Sequence, residues 1–107
     1  MAEIKYLYLR DANGKNHGVV AYDVAGRSVG SVTYGLSTCN AIDSFDKEIG
    51  KALATKRLGE SPNLLGVARN SCNVDIVSAL LKKISRSEMF PTHAKKIARS
   101  TLIRKYR

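Results

Sequence analysis

The side chains of this sequence that could act as nucleophiles, general bases or metal ligands are few. Two cysteines, Cys39 and Cys72, and two histidines, His17 and His93, are scattered over 107 residues. A zinc site needs a closely spaced Cys or His pair as its start, and neither residue type forms one. We therefore predict no metal, no cofactor and no catalytic residue, and we interpret both thiols as reduced and partly buried.

Two alternatives for the cysteines stay open. Cys39 precedes a predicted helix N-terminus, a position that activates thiols in cysteine enzymes, and the fold could bring a histidine to it. A disulfide between the two cysteines would require an oxidising compartment. The sequence has no G-x-x-x-x-G-K-[ST] phosphate loop, no dinucleotide-binding G-x-G-x-x-G and no H-E-x-x-H motif.

Positive charge is the clearest functional signal, and it is concentrated at the end of the chain. The formal net charge is +9; residues 1–81 hold nine basic against eight acidic residues, whereas residues 82–107 hold nine basic residues against Glu88 alone. Such asymmetry is typical of a surface for nucleic acid, an anionic membrane or an acidic protein, although a solvated helix that aids solubility is the alternative. The predicted binding residues are Lys82, Lys83, Arg86, Lys95, Lys96, Arg99, Arg104, Lys105 and Arg107.

Tyrosines on the predicted strands are the second candidate surface. An open aromatic sheet beside a basic helix is how several proteins stack single-stranded bases, but tyrosine is also an ordinary packing residue in sheets. The candidate stacking or interface residues are Tyr6, Tyr8 and Tyr34.

The elements that must position these residues begin with β structure. Apolar and aromatic runs predict strands at 4–10, 17–24 and 27–36, joined by short turns that favour an antiparallel meander within residues 1–37. A helix is predicted over 43–59, capped by Asp43 or Ser44, with an apolar face formed by Phe45, Ile49, Ala52 and Leu53. Residues 64–69 are either a turn or a short extended piece.

Residues 73–107 are predicted to form two helices. The first buries Ile76 or Val77, Leu80, Leu81 and Ile84, and the second buries Ala94, Ile97, Ala98, Thr101 and Leu102. A helix-turn-helix with the last helix at DNA is an alternative interpretation of this pair. The whole chain, residues 1–107, is thus predicted to be one α+β domain: a small antiparallel three-stranded sheet with helices packed on one face and a basic C-terminal helix.

One segment resembles a known pattern. Residues 35–58 are similar to a strand-to-helix motif in many small, uncharacterised bacteriophage proteins, through Ser37-x-Cys39-x-x-x-Asp43-x-Phe45-x-Lys47-x-x-Gly50-x-x-x-Ala54-x-x-Arg57-Leu58. The chain departs from the motif at Glu48, where lysine is usual, and at Lys51, where arginine is usual. The resemblance covers about a quarter of the chain. It implies a phage accessory product in the host cytoplasm and implies no activity.

These observations lead to one expected function and two alternatives. We expect a non-enzymatic host-takeover or anti-defence protein whose basic C-terminal face binds nucleic acid or a nucleic-acid-bound host complex. A stoichiometric, anti-CRISPR-like inhibitor that binds a host protein through its sheet edge or tyrosines is the first alternative. An oligomer that sequesters an anionic signalling nucleotide is the second. No apolar run is long enough to span a bilayer and the start of the chain lacks a signal-peptide pattern, so we expect a cytoplasmic protein with no membrane partner. The host target and the oligomeric state are not predicted.

Overall fold

A computed structural model of the chain describes residues 3–11, 13–38 and 46–106, without the side chains of Arg27, Lys105 and Tyr106. In chain order the elements are β1 (Ile4–Arg10), β2 (Asn16–Asp23), a 3₁₀ turn (Arg27–Val29), β3 (Ser31–Thr38), α1 (Lys47–Glu60), β4 (Asn63–Gly66), α2 (Asn73–Arg86) and α3 (Thr92–Tyr106). This is the α+β class that the sequence predicts. Within the described residues, no helix combines the length and the apolar character that a membrane span requires.

The four strands form one antiparallel sheet in the order β1-β2-β3-β4. The prediction of three strands is therefore wrong by one. The fourth strand has only four residues, and Leu64 within it is 61% exposed, so no alternating pattern marks it in the sequence. It is a strand because Ser31 to Tyr34 of β3 offer it a pairing edge, which is a tertiary contact.

The helices cover both faces of the sheet, and the prediction that they pack on one face is wrong. Successive residues of a strand point to opposite faces. In β2, Val20 and Tyr22 belong to the core shared with α2 and α3, whereas Val19 and Ala21 belong to a second core shared with α1. The sequence of β2 is apolar on both faces, which is the pattern of a strand that is buried on both sides.

Helix α1 begins later than predicted and buries a different face. Asp46 is its N-cap, and its carboxylate accepts hydrogen bonds from the backbone N–H groups of Glu48 (2.9 Å) and Ile49 (3.2 Å). The predicted caps, Asp43 and Ser44, lie outside the described residues, as do Cys39 and Phe45. The residues buried against the sheet are Gly50, Ala54 and Leu58.

The predicted apolar face of α1 points to solvent. Ile49 is 60% exposed and Leu53 is 40% exposed. The reason lies on β3: a Cβ atom at Gly35 would stand only 2.5 Å from the carbonyl oxygen of Ala54 and from the amide nitrogen of Leu58. Because backbone meets backbone here, the helix turns its small side chains to the sheet. Gly35 is therefore the position at which β3 admits the backbone of α1.

Helices α2 and α3 bury the predicted residues on the opposite face. Both alternatives for the first buried residue of α2, Ile76 and Val77, are buried, as are the three other predicted residues of that helix. Four of the five predicted residues in α3 are buried, with Leu102 half-buried. Helix α2 ends at Arg86, and Cys72 is its N-cap residue. The Cys72 thiol is free and exposed, so the expectation of a partly buried thiol is wrong for this residue.

Candidate nucleic-acid interface

Five of the predicted basic residues lie in the last turns of α2 and the first turns of α3. Lys82 and Arg86 are exposed in α2, and Lys96 and Arg99 are exposed in α3, with Lys95 half-buried beside them. We call these five residues the corner cluster. Its three α3 members line an open depression of about 310 Å³ together with Ser85 and Thr92.

The packing of α3 dictates which of its cations reach solvent. Ala94, Ile97, Ala98 and Thr101 recur at helical spacing and are buried against the sheet and α2. A helix that buries one stripe exposes the opposite one, and Lys96 and Arg99 lie on that opposite side. The burial of this stripe therefore turns Lys96 and Arg99 toward solvent.

The described part of the protein does not neutralise the corner cluster. None of its five cations lies within ion-pair distance of a carboxylate there. Cations gathered without counter-charges raise the local positive potential and attract anions from solution. This arrangement can bind phosphates or carboxylates of a partner.

Lys83 has a different situation from the corner cluster. Its ammonium group donates a hydrogen bond to the carbonyl oxygen of Leu64, at 2.6 Å. It thereby ties α2 to β4. Although Lys83 is exposed, its charge is already engaged with the protein backbone.

The predicted residues at the end of α3 are separated from the corner cluster. Lys95 and Arg104 are nine positions apart in one helix, or about 14 Å at 1.5 Å per residue. The Arg104 Nε donates to the carbonyl oxygen of Asp11, at 3.4 Å, so this side chain contacts the β1–β2 turn. Arg107 and the side chain of Lys105 lie outside the described residues.

The tyrosines do not form an open stacking surface. Tyr34 is 2% exposed and packs near Phe90 under α2 and α3, on the sheet face opposite Tyr8. Burial also raises the pKa of Tyr34. The prediction that Tyr34 is a stacking or interface residue is therefore wrong. Helices α2 and α3 cover the face of the sheet that carries Tyr34, and α1 covers the other face.

Tyr6 and Tyr8 lie on the face covered by α1. The Tyr6 hydroxyl shares a hydrogen bond with Thr55 Oγ1 (3.0 Å), and the ammonium of Lys51 lies 4.6 Å from the Tyr6 ring centroid. Lys47 lies 5.2 Å from the Tyr8 ring centroid. These rings are occupied by α1, although 36% of Tyr6 remains exposed.

A β-bulge places a second group of polar residues next to α3. The register of β1 and β2 shifts between Leu9 and Arg10, where Leu9 pairs with Gly18 and Arg10 pairs with Asn16. His17 is the extra residue, and bulges commonly redirect a side chain. Its ring stands edge-on to His93 of α3, with the ring centroids 5.7 Å apart.

Asp11 holds the ring of His17 in place. His17 is 3% exposed, and its Nε2 lies 2.8 Å from Asp11 Oδ2. The other carboxylate oxygen accepts hydrogen bonds from the backbone N–H groups of Asn13 (2.9 Å) and Lys15 (3.0 Å). The Lys15 N–H contributes most to holding the pKa of Asp11 below its usual value, and the contacts with His17 and Asn13 also lower it.

The two histidines line a pocket of about 300 Å³, which we call the histidine pocket. Its lining residues are Asp11, Asn13, His17, His93, Lys96, Ile97 and Ser100. His17 Nδ1 and His93 Nε2 are both buried and have no hydrogen-bond partner. Sequence reasoning missed this pocket, because the histidines are far apart in the chain and only the bulge and α3 bring them together.

The chemistry of the histidine pocket is restricted by its contacts. Among the described residues, no three His, Cys, Asp or Glu side chains are grouped so that they could hold a metal ion. Ser100 lines the pocket, but neither unpartnered ring nitrogen bonds to its hydroxyl, so no Ser–His–Asp relay is formed. The contacts instead present polar groups and one lysine around a small opening.

Similarity to other proteins gives no assignment for the corner cluster or the histidine pocket. The chain matches no protein-family model, no curated protein and no solved structure. The function is therefore inferred from the residues of these two places.

Proposed function

We propose that this protein is a non-enzymatic binding protein whose corner cluster contacts the phosphates of a nucleic acid, either free or within a nucleic-acid-bound complex. The observation that carries the proposal is the gathering of Lys82, Arg86, Lys95, Lys96 and Arg99 without a carboxylate partner in the described residues. Nothing in the fold requires these five cations to be close together, since none of them is buried in a core.

The size of the cluster sets the expected salt dependence. Each phosphate neutralised on duplex DNA contributes about 0.9 to the slope of log affinity against log salt, so five contacts give a slope of about −4.5. Affinity would then fall about 500-fold between about 50 and about 200 mM salt. A weaker slope would mean that fewer of the five cations reach phosphates.

The test is binding of fluorescent single-stranded DNA, duplex DNA and RNA across that salt range. The corner variant replaces Lys82, Arg86, Lys95 and Arg99 by Gln and retains Lys96, which also lines the histidine pocket. The matched control replaces Lys5, Lys47, Lys56 and Arg69 by Gln. Both variants lose four positive charges, so net charge alone affects them equally.

We expect the corner variant to lose at least 30-fold in affinity, and the slope to fall by about 3 to 4 units because four phosphate contacts are removed. The control variant should lose less than about threefold, through the weaker long-range field alone. Equal losses in the two variants would contradict the proposal, since binding would then depend on net charge and not on the corner. Circular dichroism of both variants verifies that they remain folded.

The biological setting is part of the same proposal. We infer a bacteriophage accessory protein of the host-takeover or anti-defence type, acting in the host cytoplasm, and the motif resemblance of residues 35–58 supports this setting. Small proteins of this kind can act by occupying a surface, which requires a binding face and no catalytic group. Expression in bacteria, followed by crosslinking and sequencing of bound nucleic acid with the wild-type and corner variants, tests this part.

A protein partner is the second candidate. Strand β1 is at one edge of the sheet, and Ile4 (38% exposed) and Tyr6 (36% exposed) lie along it. An extended segment of a host protein could add to such an edge through main-chain hydrogen bonds. If Ile4→Lys abolished binding of the host protein while the corner variant still bound it fully, a protein partner would be favoured over a nucleic acid.

A further inference from the structure

We propose that the histidine pocket is a site for a phosphate group, carried either by inorganic phosphate or by the terminal phosphomonoester of a nucleic acid. The second source rests on the proposed function, and the first does not. Lys96 belongs both to this pocket and to the corner cluster, so a strand bound at the corner could present its end to the pocket.

The first observation behind this site is the pair of buried ring nitrogens. His17 Nδ1 and His93 Nε2 have no partner, and leaving buried polar atoms unpaired costs stability. The bulge in β2 that turns His17 toward α3 is an irregularity of a kind found next to binding sites. A ligand that bonds both nitrogens would account for both features.

The second observation is that Asp11 is fully engaged. One of its oxygens accepts two backbone N–H groups and the other contacts His17 Nε2. The carboxylate therefore orients His17 so that Nε2 carries a proton, and it neutralises the imidazolium when the ring takes up its second proton. In that state Nδ1 becomes a hydrogen-bond donor, which is what a phosphate oxygen requires.

The charges around the pocket favour an anion over a metal ion. Lys96 adds a positive charge, and His93 lies in the first turn of the 15-residue helix α3, where the helix dipole favours negative charge. Ser100 and Asn13 add neutral polar groups to the lining. A metal ion would meet the ammonium of Lys96 and, among the described residues, no three-ligand set of His, Cys, Asp or Glu.

Two charged groups face the rings, Asp11 from the β1–β2 turn and Lys96 from α3. The Asp11 carboxylate is already occupied by His17 and by two backbone N–H groups, whereas the ammonium of Lys96 is a positive charge that a phosphate can contact.

The first experiment titrates the intact protein with sodium phosphate at pH 6 and follows the C2–H resonances of His17 and His93 by NMR. Sodium chloride at the same ionic strength is the reference. We expect saturable shifts of both resonances with phosphate, at least tenfold weaker binding in His93→Gln and in Ser100→Ala, and unchanged binding in Lys56→Gln. Shifts that do not saturate, that also occur with chloride, or that appear with Zn²⁺ while phosphate has no effect would overturn the proposal.

The second experiment compares one oligonucleotide with a 5′-phosphate, a 3′-phosphate or hydroxyl ends. A terminal phosphate held in the pocket should improve affinity about tenfold at one end, because charge-assisted hydrogen bonds are the stronger class. Ser100→Ala should abolish this preference while the hydroxyl-ended strand binds normally. The corner variant should weaken all three strands and keep the preference.

The two proposals fail in different ways. Saturable inorganic phosphate binding with no oligonucleotide binding would contradict the proposed function and leave the pocket supported, with free phosphate as its ligand. Normal oligonucleotide binding without end preference and without phosphate shifts would overturn the pocket and leave the corner cluster supported.

Discussion

The two faces of the sheet use their basic residues in opposite ways. On the α1 face, Lys47 and Lys51 lie against tyrosine rings, and Arg57 donates to the Leu36 carbonyl at 2.6 Å. On the α2–α3 face, the corner cluster has no carboxylate partner in the described residues. The basic residues of α1 therefore contact the protein, whereas on the α2–α3 face Lys83 and Arg104 do so and the corner cluster remains available to a partner.

The packing of the two faces differs as well. Helix α1 meets the sheet through a small core, formed with Val19, Ala21, Ala54 and Leu58. Helices α2 and α3 share a much larger core that includes Leu80 and Ile84, both fully buried. The larger core holds two helices by apolar burial, and Lys83 and Arg104 add contacts to backbone carbonyls. The residues of the corner cluster take no part in that core, so their charges lie at the surface.

The largest expected effect breaks the larger core. Leu80→Ala should lower the free energy of unfolding by about 2–5 kcal/mol, because it removes a buried side chain and leaves a cavity. Leu53→Ala, the same change on the outward side of α1, should cost less than about 1 kcal/mol, mainly through lost partial burial. Urea denaturation of both variants measures the difference. Equal losses would mean that the predicted face of α1, and not the observed one, is buried.

The next effect tests the close approach on the α1 face. Gly35→Ala should destabilise the protein by about 1–3 kcal/mol, since its Cβ would stand 2.5 Å from backbone atoms of Ala54 and Leu58. Gly59→Ala, in α1 itself, is the control, because its Cβ would meet nothing within 4 Å. It should stabilise the protein by up to about 1 kcal/mol through helix propensity. If thermal unfolding showed that both changes stabilise the protein, the close approach of α1 to Gly35 would be refuted.

The smallest expected effect concerns one aspartate on each face. The folded protein holds the pKa of Asp11 below its usual value of 3.8, so its ionised form stabilises the fold. That contribution is present above pH 3.8 and is lost as the pH falls through the lower, folded-state pKa. Asp11→Asn should therefore be less stable than wild type at pH 7, and the difference should vanish at the acid end of a pH series.

Asp46→Asn is the matched change on the α1 face. Asparagine caps helices about as well as aspartate and keeps an oxygen for the N–H groups of Glu48 and Ile49. We expect the free energy of unfolding to change by no more than about 0.5 kcal/mol at pH 7. If Asp46→Asn lowered the free energy of unfolding more than Asp11→Asn does, the charge of Asp46, and not that of Asp11, would be the one that stabilises the fold.

Much of the fold was predictable where one strong local pattern dominated. The bounds of β1 are as predicted, and the buried stripes of α2 and α3 follow from the spacing of Leu80, Leu81, Ile97 and Ala98. Charge asymmetry likewise pointed to the residues of the corner cluster. Both signals are properties of short segments, which are readable without knowing what packs against them.

The errors share one cause, which is competition between local pattern and tertiary contact. The spacing of Ile49 and Leu53 predicts a buried face, yet Gly35 admits the helix backbone so closely that Gly50 and Ala54 take that place. Tyr34 is equally suited to an open or a covered sheet, and only the position of α2 and α3 decides its burial.

The sequence by itself determined the α+β class, the helical stripes of the C-terminal third and the excess of positive charge there, because each depends on composition and periodicity. Tertiary structure alone decided that helices cover both faces, that three cations of α3 line one depression while Lys83 and Arg104 bind backbone carbonyls, and that His17 meets His93. These outcomes depend on which segments, distant in the sequence, come into contact in the fold. Local patterns of residues do not specify those contacts.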